Sequence, residues 1–122
     1  MNDTTLVIVM LESMAALENI DAIAAVPGVD ILHIGCGDLS ADMGISGQLD
    51  HPDILKQIER AVAAARKHGK FCGVGGLSGN DTAPMRKVLA LGPRYLTGAN
   101  EWTLMMDALQ QRTKFFRDLL PG

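Results

Sequence analysis

Four times along the chain a short apolar run gives way to turn formers and then to a stretch with helical spacing, and this alternation constrains the fold more than any other feature. The runs are Thr5 to Leu11, Val29 to Ile34, Phe71 to Val74 and Tyr95 to Thr97. The first is β-branched and continuously apolar, so it reads as a strand buried on both faces, as parallel strands are. Ser13 can cap a helix from about Met14 to Ala25, with Leu17, Ile20 and Ile23 on one face and Pro27-Gly28 ending it. His51-Pro52-Asp53 starts a second helix with Pro at its first position. Its stripe is Ile54, Leu55, Ile58, Val62 and Ala65, and its stop is Gly69. A third helix is expected around Asp81 to Leu91, carrying Met85, Val88 and Leu89. A long terminal one bears Trp102, Leu109, Phe116 and Leu119 and is closed by Pro121-Gly122. Gly35-Cys36-Gly37-Asp38-Leu39-Ser40 holds too many turn formers to extend the sheet and reads as an open functional loop.

Strands alternating with helices imply an α/β fold of four βα units, its parallel strands joined by right-handed crossovers. No Pro- or Ser-rich linker divides the chain, so residues 1–122 are expected to form a single unit. A chain of 122 residues can bury its own core, yet it is only about half as long as a (β/α)₈ barrel of ~250 residues. A four-stranded flavodoxin-like sheet fits the same pattern. With 48% hydrophobic and 20% charged residues, the composition is that of an ordered domain rather than a disordered one. The net charge of -3 offers no broad basic footprint, which argues against nucleic acid and anionic membranes as partners but leaves room for a small anionic substrate. Cys36 and Cys72 have no CxxC partner and read as free, buried thiols. The apolar run from Leu6 to Leu11 falls far short of the ~20 residues that cross a bilayer, and the first residues lack a signal-peptide pattern, so a cytoplasmic location is expected.

Glu12 and Asp38 follow the first two strands, about one βα unit apart. On a parallel sheet those strand tips are neighbours, at the edge where ligands bind in open sheets and barrels alike. Two carboxylates there could converge on one hard cation such as Mg²⁺ or Mn²⁺, with Co²⁺ a further candidate. Acidic residues after strands also cap helices or sit in water, so spacing alone leaves both readings open. Gly35 and Gly37 flank a turn whose backbone N–H groups can form a nest for a carboxylate beside the cation.

Leu11-Glu12-Ser13, Pro27-Gly28-Val29-Asp30 and the block Gly35-Cys36-Gly37-Asp38-Leu39-Ser40-Ala41-Asp42-Met43-Gly44, with His51-Pro52 and Leu96-Thr97-Gly98-Ala99-Asn100, resemble the C-terminal part of the HpcH/HpaI aldolases. These are class II aldolases acting on 2-keto-3-deoxy sugar acids and related compounds. The resemblance implies the C-terminal half of a (β/α)₈ TIM barrel, strands five to eight, with Glu12 and Asp38 as the metal ligands. It also implies that the backbone amides of Gly37 and Asp38 hold the carboxylate of pyruvate or another small 2-oxo acid. A bound divalent cation would stabilise the enolate formed when the C3–C4 bond breaks. Where the family usually has Pro-Ala this chain has Cys36-Gly37, which loosens the turn but keeps the N–H donors and the Asp. The His-containing base and the arginine of the family belong to an N-terminal half with no counterpart here, so no catalytic residue is assigned. A complementary N-terminal half, or a homo-oligomer closed through sheet edges or an exchanged last helix, is the expected partner. Alternatives are a non-catalytic half-barrel that binds a cation and an oxo acid or serves as a subunit, and a citrate-lyase-like or decarboxylating member of the superfamily.

Other conspicuous residues have plainer readings. His33 stands in a strand where the family tends to carry an apolar residue and reads as a packed core histidine. His51 looks structural, and His68 is placed to meet the negative end of its helix. Cys36 could be a nucleophile only with a stabilised thiolate, and no relay accompanies it. Gly73-Val74-Gly75-Gly76 lacks the Gly-Lys-Ser/Thr ending of a phosphate loop, so close backbone packing at a barrel rim is the better account. Asp42 and Asp50 read as solvated loop acids. Trp102, Met105, Met106, Phe115 and Phe116 are expected in a core or interface.

Overall fold

The computed structural model describes residues 4–77 and 82–120. The strands are β1 (Ile8–Leu11), β2 (Ile31–Gly35), β3 (Phe71–Gly75) and β4 (Tyr95–Thr97), and they form one parallel sheet in the order β1-β2-β3-β4. Helices α1 (Met14–Glu18) and α2 (Ile20–Ala25) follow β1, and α3 (Cys36–Asp42) and α4 (Pro52–Lys67) follow β2. Then α5 (Thr82–Ala90) follows β3 and α6 (Glu101–Asp118) follows β4. The expected Ser78-Gly79 turn, the helix start at Asp81 and the Pro121-Gly122 stop lie outside the described residues.

The period of two along each strand sorts side chains between two faces. Leu11, Leu32, Ile34, Cys72 and Val74 point to the helix side and are almost wholly buried against Leu17, Ile20, Leu39, Ile54, Ile58 and Val88. Burying one such Leu, Ile or Val contributes about 1.5–3 kcal/mol. The other face is only partly covered, with Met10 53% and Phe71 58% exposed. The expectation that the first strand is buried on both faces therefore fails for this chain. Nothing among the described residues lies over Met10 as the helices lie over Leu11.

Helix α4 starts and stops where the sequence indicates. His51 caps it by accepting the Asp53 N–H on Nδ1 at 3.2 Å, and Gly69 turns away at φ 68°. The expected helix from Met14 to Ala25 is two short helices, because Asn19 closes α1 with its backbone N–H on Ala16 and Leu17 carbonyls and then opens α2. Segment 36–42 is helical rather than a loop. Cys36, Leu39 and Ser40 form a buried face, and Gly44 at φ 72° ends the helix by giving its N–H to Ala41 while Ile45 N–H reaches Ser40 O at 2.8 Å. Helix α6 is as long as expected but buries none of its residues, so Trp102, Leu109, Phe115 and Phe116 are all more than half exposed. Leu96, paired with Val74 and thus on the helix side, stays 43% exposed for want of a covering helix. Among the described residues no helix is long and apolar enough to cross a membrane.

Candidate functional site

At the C-terminal ends of the strands, Glu12 follows directly on Leu11, which is anchored in the core at 1% exposure. On its other side, Ser13 caps α1 by accepting the Ala16 N–H on Oγ, and the Met14 N–H donates to Asp42 Oδ2 at 2.8 Å. Asp42 is thus no free loop acid, because it ties the end of α3 to the segment that carries Glu12. The Glu12 carboxylate itself is exposed and rests against Gly35, where a Cβ would stand 3.2 Å from Oε2. A side chain at position 35 would push the carboxylate off the strand tip.

Asp38 lies in the first turn of α3, exposed, beside exposed Gly37 and buried Cys36. The first N–H groups of a helix have no acceptor within it, so those of Gly37 and Asp38 are available to an anion. Gly76 keeps that place open. It adopts φ 80°, and a Cβ there would come within 3.0 Å of Gly37 N and 3.6 Å of Cys36 N. Ser40, fully buried, donates its hydroxyl to Gly37 O at 2.7 Å and accepts the Gly47 N–H, which fixes the turn from beneath. No hydrogen bond or ion pair engages the Glu12 or Asp38 carboxylate among the described residues. Nor do three or more His, Cys, Asp or Glu side chains gather there in a group that could hold an ion. A cation held by these two acids would draw its remaining ligands from substrate oxygens and water, which suits hard ions that keep several waters.

The other candidates take the plainer roles. Burial pushes the Cys36 thiol up to about 11, so it stays protonated near neutral pH and is no nucleophile. Burial, with Cys36 as a lesser cause, pushes Cys72 up to about 12. His68 caps α4 through its backbone N–H, while its Nε2 lies 3.4 Å from Asp21 Oδ1. Lys67, hydrogen-bonded to Asp21, is the main reason that carboxyl sits below its usual value. Asp50 is paired with Lys87 at 2.9 Å rather than merely solvated. His33 is 3% exposed, edge-on to Tyr95, with Nε2 3.0 Å from Thr97 Oγ1. The glycines of β3 make room for that ring, since a Cβ at Gly73 would fall 2.5 Å from His33 Nδ1 and one at Gly75 would fall 2.6 Å from Nε2. The sequence reading missed both the His33–Thr97 bond and the Asp42 tie. Two glycines on one face of a strand are the available signal for the first, because they mark a bulky neighbour.

The chain resembles known proteins over most of its length. Residues 1–82 match the family model described as HpcH/HpaI aldolase/citrate lyase. A 4-hydroxy-4-methyl-2-oxoglutarate aldolase of Chaetomium globosum is 47% identical over 102 residues, which cover 84% of this chain and 38% of that protein. A 2-keto-3-deoxy-L-rhamnonate aldolase of Klebsiella pneumoniae is 35% identical over 116 residues, or 95% of this chain and 42% of that one. The crystal structure of an HpcH/HpaI aldolase from Desulfitobacterium hafniense superposes with a TM-score of 0.85 at 31% identity, covering 99% of this chain and 46% of that one. The chain thus spans about two fifths of the length of the curated relatives it matches. Its four βα units are part of a (β/α)₈ barrel, and the chain belongs to the HpcH/HpaI aldolase/citrate lyase family.

Proposed function

We propose that this chain supplies the metal- and oxo-acid-binding part of a carbon–carbon lyase acting on small 2-oxo acids, with its four units standing as strands five to eight of the barrel. The observation that carries the reading is the juxtaposition at the strand tips. An unpaired Glu12 carboxylate lies against Gly35, the residue that opens α3, while the uncovered amide of Gly37 and the unpaired carboxylate of Asp38 lie in that helix's first turn. Glu12 and Asp38 would hold a divalent cation such as Mg²⁺ or Mn²⁺, and the N–H groups of Gly37 and Asp38 would receive the carboxylate of pyruvate or a related acid. The bound cation would supply Lewis-acid stabilisation of the charge that develops on the oxo oxygen as the C3–C4 bond breaks. The protein's own part is to hold the acid by its carboxylate and to keep the two side-chain carboxylates free of competing cations. Relatives named as 4-hydroxy-4-methyl-2-oxoglutarate and 2-keto-3-deoxy-L-rhamnonate aldolases support the substrate class.

With Glu12 and Asp38 assigned to the cation, the other described candidates for a general base fall away, since His33 is enclosed and Cys36 stays protonated. Turnover then requires groups from outside the chain, either a complementary half or further copies. The open sheet face and the uncovered α6 support association with such a partner. The test is calorimetry on the chain. Mn²⁺ should bind, and pyruvate should bind more tightly in its presence. Glu12→Gln or Asp38→Asn should each weaken Mn²⁺ at least tenfold. Binding without turnover would favour a half-barrel binding module, and turnover gained on adding the complementary half would favour a divided enzyme. Mn²⁺ affinity unchanged in both variants would end the proposal.

A further inference from the structure

The His33 ring spans β3 from beneath the strand tips. In register, Gly35 pairs with Gly75 and Gly75 with Thr97, so these three residues form one row across the sheet, a row below which His33 pairs with Gly73. The row brings the His33 Nε2 to Thr97 Oγ1 at 3.0 Å, while Nδ1, wholly enclosed, has no hydrogen-bond partner among the described residues. Burial also holds the imidazole below its ordinary value, so the ring is neutral near pH 7 and carries a single proton.

Which nitrogen carries that proton follows from the surroundings. A proton on Nδ1 would leave a buried N–H with no acceptor, aimed at the Cα hydrogens of Gly73. That is the costlier error, because orphaned buried donors are rarer than under-used acceptors. A lone pair on Nδ1 meets those C–H groups favourably, if weakly. The proton therefore sits on Nε2 and is donated to Thr97 Oγ1. A hydroxyl has one proton to give, and with its oxygen already accepting from His33 the Thr97 proton is turned elsewhere. Thr97 lines a cleft of about 190 Å³ between Gly76-Leu77 and the Gly98–Asn100 turn. The Asn100 side-chain oxygen in that cleft is already engaged by Thr103, through its N–H at 2.8 Å and its hydroxyl at 2.9 Å. What Thr97 offers to the cleft is a directed donor.

The geometry points to His33 as a positioning residue that turns the Thr97 hydroxyl proton into the cleft, whose Gly76 wall adjoins the Gly37 amide, so that it donates to an oxygen of the bound oxo acid. This rests on the oxo-acid reading of the site, and the experiment separates the two. In the ¹⁵N-labelled chain, long-range ¹H–¹⁵N correlation should find His33 protonated on Nε2 and unprotonated on Nδ1, and the opposite tautomer overturns the inference. Pyruvate titrated by calorimetry in the presence of Mn²⁺ should bind about fivefold to tenfold more weakly to Thr97→Val, as expected for one lost hydrogen bond. Thr97→Ser should keep the unaltered affinity, and His33→Gln should lie between. The Mn²⁺ affinity should be the same in all three. Equal pyruvate affinity in Thr97→Val and Thr97→Ser would overturn the inference while leaving the metal reading intact. Absence of Mn²⁺ binding in the unaltered chain would overturn the metal reading, and the tautomer would then decide for His33 alone.

Discussion

Replacing Gly76 by Ala tests the amide cradle directly. At φ 80° an alanine is strained, by about 1–2 kcal/mol for a left-handed L-residue. The new Cβ would also stand 3.0 Å from Gly37 N, over the N–H that an oxo-acid carboxylate would use. Gly28→Ala is the control, because Gly28 has φ 84° and nothing within 4 Å of its missing Cβ. Both variants should lose stability to the left-handed backbone, and Gly76→Ala somewhat more because its Cβ also crowds Gly37 N. With a urea m-value of about 1–3 kcal/mol per molar, a loss of ~1.5 kcal/mol lowers the midpoint by roughly 0.5–1.5 M. Only Gly76→Ala should lose pyruvate. One charge-assisted hydrogen bond is worth about 1.5–3 kcal/mol, so blocking it weakens binding by roughly tenfold to a hundredfold. Calorimetry with Mn²⁺ present, beside urea unfolding followed by circular dichroism, reads both quantities. Equal pyruvate affinity in the two variants would refute the cradle.

Two further outcomes are expected. The folded-state His33 value lies below its unfolded one, so the unfolded chain takes up the proton first. The contribution of this residue to stability is then complete above about pH 6.5 and is lost as the pH falls below it. Urea midpoints should decline between pH 7 and 5, with a shallower decline in His33→Gln, whereas the Asp21 and Asp50 carboxyls, lowered chiefly by hydrogen bonds from Lys67 and Lys87, lose their contribution only as the pH falls below about 4. Light scattering should give a mass above the 13.0 kDa of a single chain, because Trp102, Leu109 and Phe116 on α6 are 66%, 53% and 53% exposed. Monomer alone at high concentration would count against the partner-covered helix.

Periodicity made the strands and α4 legible, because both faces of the pattern were written in side chains of one kind. Ile54, Ile58 and Val62 could hardly face anything but a sheet, and Leu32 and Ile34 supply it. The family and the barrel fold were legible through the block from Gly35 to Gly44. Its conformation was not, since Gly35, Gly37 and Ser40 weigh toward a turn by propensity. Burial of Cys36, Leu39 and Ser40 against the sheet outweighs that preference, and Gly44 is a helix stop rather than a loop residue. Coverage of the sheet was the other blind spot. Apolar residues at Ile8, Met10 and Phe71 predict burial whatever covers them, so sequence could not tell that they stay 38%, 53% and 58% exposed. The His33–Thr97 bond joins residues 64 positions apart through strand register, a quantity no local pattern records.

The order of the strands has a bearing on assembly during synthesis. Among the described strands each one after β1 hydrogen-bonds to the one made just before it, so these three pairings need no distant part of the chain. Pairing of near neighbours in sequence lowers the loop-closure entropy that slows folding. A ribosome releasing this polypeptide would therefore present a three-stranded sheet already backed by α4 before β4 emerges. The β4–α6 unit, with its three-residue strand and a helix that buries none of its residues, then has the least packing to hold it.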